Sequence, residues 1–269
     1  MIGEPKVLFV MPVLRTPEYT KLAYNSFCDS TDLGRHKLVV GMDLDVAEDR
    51  VEYEQMGMDV HIHEGWGHIF MALYHFVSNM DEFDYIGLIH NDMVFGKDWL
   101  CDVDRFWAES DAETVDGTLL CTNLNTIYDP HIHSIGEFDY DDFLSRVSDN
   151  PYRGDYYYDH LSFMPWIIPK RLLATSLDWL TCGDTGVIDK YWNQHQFKVR
   201  CLYNSYVHHF VNVSVRLHRD DFYRNQHTRY WWQSLADDSR WRFIAKYLID
   251  NTCWSTDANL TQIYALGHG

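Results

Sequence analysis

A chain of 269 residues with 46% apolar side chains buries a sizeable core and fits one large domain, or one domain with a helical appendage; two full domains would be cramped. No run of about 18 apolar residues occurs, and Met1-Ile2-Gly3-Glu4-Pro5-Lys6 lacks the basic and apolar regions of a signal peptide, so the sequence predicts a soluble, cytoplasmic protein without a membrane span. The formal charge of -18 argues against general polyanion binding, and six cysteines without a C-x-x-C pair argue against a zinc ribbon or disulfide scaffold and read as free thiols.

In chain order, the apolar run 7 to 13 is closed by Pro12 and reads as a buried parallel strand ending in a loop. Thr16-Pro17-Glu18 then supplies an N-cap, a proline at the first helical position and an acid in the first turn, with Tyr19, Leu22, Ala23 and Phe27 as the inward face. Residues 37 to 40 form the next apolar run, ending in Gly41-Met42-Asp43-Leu44-Asp45. A weaker third strand at 60 to 63 leads into Glu64-Gly65-Trp66-Gly67, and helical spacing follows from 68 to 79. A fourth strand, "YIGLIHNDMVFGKDWL", delivers Ile86-Gly87-Leu88-Ile89 directly into His90-Asn91-Asp92.

Alternating strands and helices predict an α/β fold with a mainly parallel sheet and right-handed crossovers. In such sheets ligands bind beyond the carboxyl ends of the strands, where Pro12, Asp43, the glycines at 65 and 67, and His90 to Asp92 all fall. Neither a dinucleotide nor a P-loop glycine pattern follows any of these strands.

The second half changes character. Residues 117 to 124 read as a strand, 137 to 149 as an acidic solvated stretch, 152 to 158 as a tyrosine-dense loop, and 162 to 169 as an irregular strand before a helix at 170 to 176. Helix is expected at 184 to 194, an extended run at 198 to 209 ending in His208-His209, and polar-aromatic helices after Arg219. From 190 to 246 ten Lys or Arg stand against four Asp or Glu, a local +6 that leaves the remainder at -24. That segment could face an anionic ligand or simply balance acidic neighbours.

A carboxylate at the mouth of a parallel sheet is well placed to hold a divalent cation, and such a cation can neutralise the phosphates of a nucleotide. Asp92 is therefore the metal candidate, with His90 a second ligand or a hydrogen-bond donor; a turn beginning at Asn91 and Asp92 is the plain structural alternative. Phe163 and Trp166 are candidates for shaping an acceptor pocket by stacking, or for core packing.

The segments "VLFVMPVLRTPEYTKLAYNSF", "LVVGMDLD", "EGWGHIFMALYHF", "IGLIHNDMVFGKDWL", "CGDTGVIDKYWNQHQFKV" and "YVHHF" resemble, in order and spacing, the GT-A fold glycosyltransferases. The likeness is greatest to the rhamnosyltransferase-like branch of the large bacterial inverting family, and it covers about residues 7 to 214. His90-Asn91-Asp92 through Trp99-Leu100 is similar to that family's N-N-D or D-x-D motif followed by W-L, with His90 a departure from the usual Asp or Asn.

The resemblance implies a GT-A domain at 1 to 215, with a nucleotide-sugar half at about 1 to 100 and an acceptor half at about 101 to 215, followed by a helical, aromatic-rich extension at 216 to 269. It implies that Pro12, Asp43, Asp45, Gly65, Gly67, His90 and Asn91 bind a UDP- or other NDP-sugar donor, and that Asp92 with His208 or His209 holds Mn2+ or Mg2+. Asp184, with Asp189 in reserve, would be the general base; helix capping is its alternative role. Strand alternation lets only one of His208 and His209 point inward.

The implied activity is metal-dependent sugar transfer to an acceptor hydroxyl, with inversion. The acceptor is a glycan or small molecule or, given Arg216, Arg219, Arg224, Arg229, Trp231, Trp232, Arg240, Trp241 and Arg242, a hydroxylated base in DNA of the kind phage enzymes modify, in which case the host cytoplasm is the compartment. The alternatives are a catalytically silent GT-A-like module that binds a nucleotide or glycan, and a nucleotidyltransferase, whose glycine-rich, lysine-bearing N-terminal signature the sequence lacks.

Overall fold

The structure, a computed structural model, describes residues 5–42, 45–63, 75, 79, 81–124, 128, 131–150, 155–158, 165–169, 198–210, 213 and 217. Its first half follows the expected alternation. Strand β1 (Val7–Val13) leads to helix α1 (Pro17–Ser30), β2 (Lys37–Met42), helix α2 (Ala47–Gln55), β3 (Val60–Ile62), β4 (Tyr85–Leu88) and β5 (Met93–Phe95). Then come α3 (Cys101–Glu109), α4 (Ala112–Asp116), β6 (Thr118–Leu124), a 3-10 turn (Ile135–Glu137), α5 (Tyr140–Asp149), β7 (Tyr157–Tyr158), β8 (Trp166–Pro169) and β9 (Lys198–His209).

The nine strands among the described residues join one sheet in the order β3-β2-β1-β4-β8-β6-β9-β5, with β7 paired to β9. The sheet is parallel from β3 through β4, because each strand there returns through a crossover. It is mixed beyond β4: β8 lies antiparallel between β4 and β6, and β5 and β7 run antiparallel to β9. The expectation of a mainly parallel sheet therefore describes the first half and the parallel β6–β9 ladder, while the β8, β5 and β7 pairings depart from it. An apolar run such as Trp166-Ile167-Ile168 states that a strand is buried but carries no sign of its direction.

Other departures have similarly local causes. Pro12 does not end β1, which continues through the register pair Pro12 with Gly41 to Val13 with Met42. Residues 140 to 149, expected as a solvated stretch, form α5, since Phe143 and Val147, four apart, supply an inward stripe and Asp139 caps the helix by accepting from the Asp142 amide at 3.0 Å. The tyrosine-rich segment contributes the short strand β7. Helix α2 leaves little periodic trace in the sequence because Tyr53 is its one buried residue.

The core on the sheet gathers Phe9, Phe27, Phe95 and Trp99, whose rings meet at centroid distances of 4.8 to 5.9 Å, mostly edge to face or tilted. Each such pair contributes about 0.5–1.5 kcal/mol beyond its area. The buried Trp99 indole donates to Thr31 Oγ1 at 2.9 Å, which fixes the segment after β5 against the end of α1. A second cluster packs Tyr19, Tyr128, Phe143, Tyr206 and Phe210 beneath α5. Cys28, Cys101, Cys121 and Cys201 are free thiols, and among the described residues no helix is long and apolar enough to cross a membrane.

Candidate functional site

Parallel pairing of β2, β1 and β4 aligns their carboxyl ends on one edge of the sheet. Pro12, half-buried near the end of β1, and the turn after β4 share that edge. Gly87 permits the close β1–β4 contact: a Cβ there would overlap the Phe9 ring, so the glycine in the fourth strand answers a packing demand.

The turn carries three polar residues to different tasks. Asn91 is buried, and its Nδ2 donates to Thr16 Oγ1 at 2.7 Å and to Thr20 Oγ1 at 2.9 Å. Thr16 does precede α1 as expected, but its hydroxyl makes no cap bond; it accepts from Asn91 instead. The backbone before α1 is left-handed at Arg15 (φ 44) and at Thr16 (φ 101), the latter an outlier for a β-branched residue and a place where strain is held next to the site.

Asp92 faces the other way, toward β9. Met93 pairs with His209 across the antiparallel β5–β9 ladder, which brings the turn just before β5 to the end of β9. His209 Nε2 lies 3.1 Å from Asp92 Oδ1, and His90 Nδ1 lies 4.0 Å from the same oxygen. The Asp92 carbonyl accepts from the Phe210 amide at 3.0 Å, and its Oδ2 accepts from the Val213 amide at 3.4 Å. Burial pushes the Asp92 carboxyl up, but the charge and hydrogen bond of His209, the charge of His90 and the Val213 amide outweigh it and hold the group below the usual carboxylate range. Asp92 is thus an anion at neutral pH despite being 7% exposed.

The ligand atoms of His90, Asp92 and His209 all lie within 4.8 Å of one another. One carboxylate and two imidazoles form a donor set suited to a divalent first-row cation. His208 is not brought to Asp92. Alternation turns it to the opposite face, where it is fully buried, stacks on Phe138 at 4.8 Å and places Nε2 3.2 Å from the Ile132 carbonyl oxygen.

The inward aim of His209 depends on an irregularity in β9. Its register with β6 jumps from Thr122 opposite Leu202 to Asn123 opposite Tyr206. Asp102 of α3 stabilises the displaced residues: its Oδ2 accepts from the Asn204 amide at 2.7 Å and its Oδ1 from Asn204 Nδ2 at 3.2 Å. Burial raises the Asp102 carboxyl and these two bonds from Asn204 pull it back only in part. Sequence reading missed both this pair and the threonine pair under Asn91, since neither has a local pattern; the bonds span 102, 75 and 71 residues.

The remaining expected residues divide between placed and undescribed. Asp45, just before α2, is exposed and pairs with Arg50 of that helix at 3.2 Å. Trp166 is 2% exposed, sits opposite Leu88 and Cys121 in mid-sheet and belongs to the main core, so the core-packing alternative describes its position. Asp43, Gly65, Gly67, Phe163, Asp184, Asp189 and the basic aromatic positions from Arg216 to Arg242 lie outside the described residues.

No protein-family model matches the sequence, and no curated protein matches it. Among solved structures, GalNAc-T7 with UDP, GalNAc and Mn2+ is similar with a TM-score of 0.56 at 12% identity, over 99% of this chain and 59% of that one. This chain therefore spans less than two thirds of the length of GalNAc-T7. Residues 1–349 of S. aureus TarS are similar at 14% identity and a TM-score of 0.47, over 97% of this chain and 70% of that one. The same TarS fragment in complex with UDP gives 15% identity and a TM-score of 0.46 over the same shares. At those scores the TarS likeness adds no weight. The strand order, the crossover-built parallel half and the likeness to GalNAc-T7 together give the architecture: the chain has a GT-A fold, a mixed sheet flanked by helices.

Proposed function

We propose that this protein is a divalent-metal-dependent glycosyltransferase, moving a sugar from a nucleotide-sugar donor to an acceptor hydroxyl with inversion. The observation that carries this reading is the convergence of His90, Asp92 and His209 at the carboxyl edge of the strands. That edge is where sheets of this kind bind ligands. GalNAc-T7, which shares the fold, holds UDP, GalNAc and Mn2+.

In this reading Asp92 and His209 hold the cation and His90 completes or borders its shell. Two imidazoles beside one carboxylate favour Mn2+ over Mg2+, which prefers all-oxygen surroundings. A divalent cation held by these residues would supply positive charge to the departing diphosphate. Pro12, Asp43, Asp45, Gly65 and Gly67 bind the donor, Pro12 from near the carboxyl end of β1. Asn91 serves the donor indirectly by holding the turn to α1. Asp184 removes the proton from the acceptor hydroxyl as its oxygen attacks the anomeric carbon, Asp189 being the reserve, and Phe163 bounds the acceptor side.

The proposal includes the division into donor half (1–100), acceptor half (101–215) and helical extension (216–269), and a cytoplasmic place of action. It also includes the acceptor class, a glycan or small molecule. A hydroxylated DNA base is the second reading, favoured by the local +6 between 190 and 246. The test is release of the nucleoside diphosphate from UDP-sugars with and without Mn2+, in the wild type and in Asp92→Asn. Mn2+-dependent release, abolished in the variant, supports transfer chemistry. Metal-dependent binding with no turnover toward water or any acceptor would favour the silent module, and release of pyrophosphate from a nucleoside triphosphate would favour a nucleotidyltransferase.

A further inference from the structure

Strand β3 ends the sheet path, and its alternation sends His61 and His63 to the same face. Their rings are parallel to within 8° with centroids 6.1 Å apart. His75 closes the group from outside the strand, its ring at 4.4 Å from that of His61 and 4.9 Å from that of His63. His63 Nε2 and His75 Nε2 stand 2.9 Å apart, and one ligand atom from each of the three residues lies within 4.8 Å of the others.

We propose that His61, His63 and His75 form a second metal site, for a zinc-class divalent cation, at the edge of the sheet and separate from Asp92. Three convergent imidazoles are an unusual way to fill space: His63 and His75 are buried, and apolar side chains would serve packing at less cost in desolvated nitrogen atoms. As a donor set they have a clear use. Imidazole nitrogens suit Zn2+, Cu2+ and Ni2+ and discriminate against Mg2+ and Ca2+.

The geometry is close to what tetrahedral zinc needs. Zn–N bonds of about 2.0–2.1 Å put ligand nitrogens roughly 3.3 Å apart, so the His63–His75 pair opens by a few tenths of an ångström and the third ligand closes by at most about 1.5 Å. The surroundings already include the carboxylate that orients a metal-bound histidine. Asp59 Oδ1 lies 3.0 Å from His61 Nε2, which leaves Nδ1 to offer the lone pair, and Lys37 Nζ holds the other Asp59 oxygen at 3.2 Å. Three protein ligands leave a fourth position for water. A cation here joins both ends of the segment 64 to 74 and so ties the edge strand to residue 75.

The site stands independently of the glycosyltransferase reading, and its test avoids activity. Full-length Asp92→Asn protein, freed of metal with a chelator, is titrated with Co2+ and then with Zn2+. One equivalent of Co2+ should bind with visible d–d absorption, and Zn2+ should displace it. His61→Asn in the same background should weaken binding by about 100-fold or more while leaving the circular dichroism and chelator-treated melting temperature unchanged, as its side chain is 39% exposed. His75→Gln should lose the same absorption. Absence of Co2+ absorption at millimolar metal, or undiminished binding in His61→Asn, would overturn the proposal.

Discussion

His209 Nε2 lies 3.1 Å from Asp92 Oδ1, joining the end of the longest strand to the turn after β4. Three structural supports converge on that pair. The β5–β9 ladder sets the two residues side by side, Asp102 holds the register jump in β9, and Asn91 anchors the turn to α1.

Asp102→Ala removes the acceptor for both the Asn204 amide and its side chain in a buried place. The expected loss is about 1–3 kcal/mol in chemical denaturation, with weaker metal binding at Asp92 because His209 loses its register. Asp102→Asn keeps one acceptor and should fall between the variant and the wild type.

Asn91→Ala removes the donor that the buried Thr16 and Thr20 hydroxyls share and leaves Thr20 Oγ1 only the Tyr53 hydroxyl, at 3.4 Å. Equilibrium unfolding should show a loss of about 1–3 kcal/mol.

Gly87→Ala places a methyl group into the Phe9 ring, which packs against Phe27 and Trp99. The strain of such overpacking costs about 1–3 kcal/mol. Phe9→Leu combined with Gly87→Ala should be less destabilised than the sum of the two single changes, a non-additivity that a double-mutant cycle reads directly.

The first half of the fold and the location of the Asp92 turn were legible because buried parallel strands announce themselves as apolar runs, and a polar tripeptide directly after one is conspicuous. The divergence of His208 and His209 was legible from alternation alone, although which of them meets Asp92 required the β5–β9 register. The antiparallel insertion of β8 was not legible, since hydrophobicity has no direction. Helices α2 and α5 expose most of their length, so a single tyrosine in one and two apolar residues in the other left little periodic signal. The bonds that hold the site in place, from Asn91 and Asp102, join residues whose proximity exists only once the sheet is formed.

Acid should act on the fold through His36 before it reaches the carboxylates. Burial, with the Arg35 charge adding to it, lowers this imidazole to about 4, and its Nδ1 accepts from the Val7 amide at 3.2 Å. The unfolded chain protonates near pH 6.5 and the folded chain near 4, so the unfolded state binds more protons and stability falls as pH drops through that window. The loss is on the order of 2–3 kcal/mol at pH 4. His36→Asn, which retains an acceptor near the Val7 amide, should reduce the loss of stability between pH 6.5 and pH 4 when melting is followed across buffers, the remainder belonging to His75, which burial lowers to about 3.

The central claim is a metal-dependent nucleotide-sugar site built on Asp92, and thermal unfolding with a panel of nucleotide sugars, with and without Mn2+, tests it most directly. A donor at about 100 times its dissociation constant stabilises the native state by about 2.7 kcal/mol, or roughly 5–10 °C for a chain of this size. The account predicts that shift for at least one nucleotide sugar, only when Mn2+ is present, and its loss in Asp92→Asn. A shift of equal size without metal, or one that survives Asp92→Asn, would contradict it.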